Sequence, residues 1–119
     1  MAQIFSYDDH DTVVRKYAEL VQKNNPEQYR VVTCFDEGEK AELGGVIPDI
    51  ALFDPKGTEI QTVIEVETAT SISNIQAESR WKPIADAAPA FQLLIPKGAL
   101  AKTKRLCKKI DIKAKYQEY

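Results

Sequence analysis

Gly44-Gly45-Val46-Ile47-Pro48-Asp49 and, after a hairpin-length interval, Ile64-Glu65-Val66-Glu67-Thr68 set three carboxylates among turn glycines and apolar residues. The first ends a Gly-Pro turn on a carboxylate. The second sets two carboxylates into an apolar strand that ought to be buried. Burying a carboxylate is costly unless a cation or a hydrogen-bond donor compensates. Strand side chains alternate between faces, so Gln61, Val63, Glu65 and Glu67 share one face, with the two Glu Cα atoms roughly 6.5–7 Å apart. An antiparallel hairpin brings Asp49 across from them. Three carboxylates at one sheet edge suit a hard divalent cation, Mg²⁺ or Mn²⁺, and through it phosphodiester hydrolysis. The competing reading makes the two Glu residues the exposed side of a half-buried strand and Asp49 a turn residue after Pro48.

Asp9–Lys23 reads as a helix, with Val13, Val14, Tyr17, Ala18, Leu20 and Val21 on one face and Asn24-Asn25-Pro26 ending it. Tyr29–Phe35 reads as a strand and Asp36–Gly45 as a polar loop. Val46–Phe53 and Glu59–Glu67 read as strands joined by the turn Asp54-Pro55-Lys56-Gly57, an antiparallel hairpin. Thr70 or Ser71 is placed to cap a helix running to Trp81, which Pro83 bends or restarts. Phe91–Ile95 is a short apolar strand, Ala99–Lys109 a helix with Leu100, Thr103, Leu106, Cys107 and Ile110 inward, and Ile112–Tyr116 an edge strand. The order α-β-β-β-α-β-α-β predicts one α/β domain over residues 1–119 with a mixed central sheet flanked by helices. The crossover between the third and fourth strands predicts a parallel pair.

With 119 residues, 44% apolar and 29% charged, the chain has the make-up of one ordinary globular domain. Its opening residues lack the pattern of a signal peptide, and no apolar run approaches the roughly 20 residues that span a bilayer, so a cytoplasmic location without membrane contact is expected. Cys34 and Cys107 sit in apolar patterns and read as reduced, buried thiols. His10 is the only histidine, which argues against a Ser-His-Asp triad, a Cys nucleophile or a His-rich zinc site. The net charge of −2 hides an asymmetry: residues 96–119 carry Lys97, Lys102, Lys104, Arg105, Lys108, Lys109, Lys113 and Lys115 against only Asp111 and Glu118. A basic end beside an acidic centre suits a protein that holds phosphates and cuts with metal. It also suits a solvated helix face and a Lys-protected edge strand.

Gly45–Asp49 followed by Ile64–Thr68 resembles the core signature of the PD-(D/E)XK nuclease superfamily, which includes restriction endonucleases and Holliday junction resolvases. The resemblance spans roughly residues 9–96 and implies a restriction endonuclease-like αβββαβ core. It implies that Asp49 and Glu65 bind Mg²⁺ or Mn²⁺. The third motif position, usually Lys, is Glu67 here, an added metal ligand or base that brings no positive charge. Lys56, Arg80 and Lys82 are the cations available to replace it.

The resemblance also implies a site role for a polar residue on the following helix. Gln76 is the candidate, expected to share a face with Ile72, Ile75 and Ser79. Glu19 lies about 180° from the inner face of the first helix and is expected in solvent, whereas Asp9, His10 or Asp11 at its start are better placed. Trp81, opposite Ile72 on a regular helix, is expected to be partly exposed beside Arg80 and Lys82, open to a base or a second subunit. Arg80, Lys82, Lys97, Lys102, Lys104, Arg105 and Lys108 are the candidate nucleic-acid contacts. The expectation is an endonuclease on DNA, duplex or branched, working as a homodimer because so small a chain has a small footprint. The alternatives are a catalytically inactive nucleic-acid-binding or assembly module of the same fold, and a plain protein-interaction domain with surface acids.

Overall fold

The computed structural model describes residues 9–38 and 40–119. The opening segment read above for a leader pattern lies outside them. Helix α1 spans His10–Asn24, capped by the Asp9 carboxylate, which accepts from the Thr12 N–H at 3.1 Å. Strands β1 (Arg30–Thr33), β2 (Ile50–Phe53) and β3 (Ile60–Val66) follow. A helical stretch comes next: a single α turn, α2 (Asn74–Gln76), a π turn (Ala77–Trp81) and α3 (Lys82–Ala87). Strand β4 (Phe91–Ile95), helix α4 (Leu100–Lys109) and strand β5 (Lys115–Glu118) complete the chain.

The five strands lie in sequential order in one mixed sheet. β1, β2 and β3 are antiparallel neighbours, while β3–β4 and β4–β5 are parallel. The expected hairpin and the expected parallel crossover are both present. Helices cover both faces. On one, Val13, Val14 and Ala18 of α1 pack with Ile50, Leu52, Ile64, Val66 and Leu94. On the other, Ala77, Trp81, Ile84 and Cys107 pack with Val63, Phe91, Leu93 and Ile95. β4 is apolar except for Gln92, whose amide donates to the Tyr17 hydroxyl at 3.1 Å, because both of its faces are covered.

Several boundaries differ from expectation. β2 begins at Ile50 instead of Val46. Gly44 and Gly45, at φ +59° and +82°, form a tight turn in which Leu43 and Val46 exchange both backbone hydrogen bonds. Pro48 then has no N–H to offer a ladder. The cap of α2 is Ser73, whose hydroxyl accepts from the Gln76 N–H, not Thr70 or Ser71. Ile72 therefore precedes the helix and sets no helical face. As a result Trp81, expected near solvent, is fully buried, while Ile75, expected inward, is 77% exposed. The edge strand starts at Lys115, three residues later than Ile112.

The Gly44 turn is seated on α3: a Cβ on Gly44 would lie 2.6 Å from the Pro83 carbonyl oxygen, whereas one on Gly45 would meet nothing within 4 Å. Both positions carry the left-handed backbone that costs L-residues about 1 kcal/mol or more. Gly45→Ala is expected to lower unfolding free energy by about 1 kcal/mol. Gly44→Ala, which adds a backbone collision, is expected to cost about 2–4 kcal/mol. Urea unfolding of the two variants checks the contrast; equal losses would contradict it.

Candidate metal centre

Asp49, Glu65 and Glu67 come together in the buried interior, with one ligand oxygen from each lying within 4.8 Å of the others. All three are buried, the two Glu residues completely. The backbone dictates the arrangement. Ile50 pairs with Ile64, so Asp49 falls opposite Glu65. The carboxylates then complete the ladder that β2, starting late, leaves open: the Asp49 N–H donates to Glu65 Oε1 at 2.9 Å, and the Val66 N–H donates to Asp49 Oδ2 at 2.8 Å. Glu67 lies just past β3 and is fixed through its backbone. Its N–H reaches the Leu94 carbonyl, and its carbonyl accepts from the Tyr119 hydroxyl at 2.7 Å.

Among the described residues, two cations face the three acids. Arg80, on the π turn, donates from Nε to Glu65 Oε2 at 2.9 Å and from Nη2 to Oε1 at 3.0 Å. His10 projects from the start of α1 as expected, its Nε2 3.1 Å from Asp49 Oδ2 and its Nδ1 2.9 Å from Asp11 Oδ1. With a carboxylate at each ring nitrogen, both nitrogens donate. The hydrogen bond to Asp49 outweighs burial and lifts the imidazole to about 9. Glu67 has neutral partners, the Gln76 amide at 3.2 Å and the Ser71 hydroxyl at 3.2 Å. Burial pushes its carboxyl up to about 7 against the Gln76 hydrogen bond, with the charge on Glu65 adding to the rise. Burial also raises Glu65, with Arg80 opposing. Cys34 sits beside the cluster, but burial and then the Asp49 charge raise its thiol to about 11, so it stays protonated.

The donor set fits a hard cation. It is three carboxylates, and Asp49 Oδ1 accepts no hydrogen bond from a described residue, which leaves an acceptor for an ion. Asp49, Glu65 and Glu67 could thus hold a metal ion.

Other candidates separate. Gln76 reaches the site through Glu67, although not by the apolar face expected of it. Asp9 only caps α1. Glu19 is in solvent, as expected. Lys82 is committed to the Asp111 carbonyl and the Asp86 carboxylate. Lys97, Lys102, Arg105 and Lys108 are exposed, and Lys104 lies 5.7 Å from the Tyr116 ring centre. Because β5 is parallel to β4, α4 must run back along the sheet. Lys97 and Lys102 therefore sit toward the acidic end and Lys108 toward the far end. Ser71 escaped sequence reading as a site residue; its position four after Glu67 was the available signal. No family model, curated protein or solved structure matches this chain.

Glu67 and His10 both hold their protons more tightly folded than unfolded. The stability Glu67 confers is full below about 4.5 and lost as pH rises through about 7. That of His10 is full below about 6.5 and lost through about 9. The metal-free protein is therefore expected to melt at progressively lower temperature from pH 5 to pH 9. Mn²⁺ should raise the melting temperature more at pH 8 than at pH 5. Glu67→Gln should stabilise the metal-free protein by about 1–3 kcal/mol at pH 8 and flatten the profile. Calorimetric melts across pH, with and without Mn²⁺, check all three.

Proposed function

We propose that this chain is a small metal-dependent endonuclease of the PD-(D/E)XK type, with a restriction endonuclease-like core, acting on DNA. The observation that carries the proposal is the buried Asp49–Glu65–Glu67 cluster with the Arg80 guanidinium against it. A cluster of three buried acids is costly to maintain as mere structure. The order α1-β1-β2-β3-α-β4 is the order the sequence resemblance implies, and it supports the same reading.

In this reading Asp49, Glu65 and Glu67 hold Mg²⁺ or Mn²⁺. The ion, when bound, polarises the phosphate, activates water and stabilises the leaving oxygen. Gln76 and Ser71 fix both oxygens of Glu67. His10 orients Asp49 from the opposite side of the sheet. Arg80 supplies the positive charge that position 67 lacks. Lys97 and Lys102, exposed toward the same end, would meet flanking phosphates. A homodimer would extend this small footprint over a duplex or junction.

A nucleic-acid-binding or assembly module without catalysis is favoured by one observation: the Arg80–Glu65 pair already neutralises a ligand carboxylate. Cleavage of duplex, single-stranded, flap and four-way-junction DNA with Mg²⁺ or Mn²⁺ separates the two. The nuclease requires cutting in at least one substrate and its loss by roughly 100-fold or more in Asp49→Asn and Glu65→Gln. DNA binding with no cutting under either metal would establish the inactive module instead.

A further inference from the structure

Arg80 grips both oxygens of Glu65, while its Nη2 also donates to the Ile47 carbonyl at 2.9 Å. Its Nη1 donates to no described residue. The Arg80 side chain is 32% exposed and that of Glu65 is not exposed at all. The guanidinium thus stands between the buried carboxylate and solvent, and one of its nitrogens has no acceptor among the described residues.

We propose that Arg80 is an exchangeable cation. It neutralises Glu65 in the metal-free protein, yields that carboxylate when a divalent ion is taken up, and then binds a phosphate oxygen of the nucleic acid. The proposal rests on reading Asp49, Glu65 and Glu67 as a metal site. A guanidinium fork and a dication on the same buried carboxylate repel each other, and low-dielectric surroundings strengthen the repulsion. Arginine cannot relieve it by losing a proton, so the side chain must move. It has somewhere to go. The carbonyl of exposed Ile47 offers an anchor that does not involve Glu65. A planar fork held there, with Nη1 bonded to no described residue, matches two phosphate oxygens. The backbone beneath it is also irregular, since the Lys82 N–H bonds to the Ala77 carbonyl in a π turn, a feature frequent at functional sites.

The consequence is reciprocal coupling. The ion frees the fork for phosphate, and phosphate keeps the fork off Glu65, so each tightens the other by the same factor. The test is Mn²⁺ titration calorimetry of the unmodified protein, Arg80→Gln and Arg80→Lys, each with and without a phosphorothioate duplex that resists hydrolysis. The unmodified protein should bind Mn²⁺ about 10-fold more tightly with duplex than without. Arg80→Gln should bind Mn²⁺ about 10-fold more tightly than the unmodified protein when DNA is absent, and duplex should no longer help. Arg80→Lys, a point charge that grips the carboxylate less firmly, should fall between; it carries the test if Arg80→Gln fails to fold. Equal or weaker Mn²⁺ binding in folded Arg80 variants would overturn the exchange while leaving the metal site standing. No Mn²⁺ uptake by any of the three proteins would overturn the metal site and the exchange with it.

Discussion

Asp49 and Glu65 lock each other in place, and the end of the β2–β3 hairpin with them. Each carboxylate accepts a backbone N–H at the end of the β2–β3 hairpin: Glu65 from Asp49, Asp49 from Val66. A buried N–H without an acceptor is costly, and so is a buried carboxylate without a donor. Here each meets the other's need. The acids are therefore part of the hairpin and not ornaments upon it, and the same contacts that register β2 on β3 fix the spacing of the cluster.

This dual role separates the two Glu residues. Glu67 stands beyond the ladder, held by neutral side chains, and its charge is a burden on the metal-free fold. Glu65 is tied to a backbone N–H and to Arg80, so its removal leaves two donors without their acceptor. Deleting one of several clustered carboxylates relieves like-charge repulsion, which applies to Glu67. It does not carry over to Glu65, where the guanidinium already opposes the repulsion from Asp49.

The strands, their order and the three acids were legible in the sequence because each rests on local alternation or on a short turn. Glu65 and Glu67 sit two apart on an apolar strand, and Pro55-Lys56-Gly57 makes a hairpin unavoidable. The start of α1 was legible too, since Asp9 caps and the apolar spacing after it places His10 inward. What was not legible lay between Thr68 and Ala87. Helical faces there were projected from Ile72, which the helix excludes, and through a π turn that breaks the regular step per residue. Trp81 and Ile75 were consequently exchanged between core and surface. Arg80 is named by the sequence both as a nucleic-acid contact and as one of three cations available to replace the missing Lys; its pairing with Glu65, fifteen residues away on another element, is one that no local pattern announces.

The contact between Gly44 and Pro83 ties together two parts of the chain that carry opposite charges. The loop after Gly44 delivers Asp49; the helix restarting beside Pro83 carries Arg80 on the turn before it. With no room for even one methyl group between them, the two segments are held at a fixed spacing. Sequence drift in this protein should therefore be paired. A bulkier residue at position 44 would be tolerated only alongside a shift in the helix near 83, and any such pair would reset the distance between anion and cation in the same stroke.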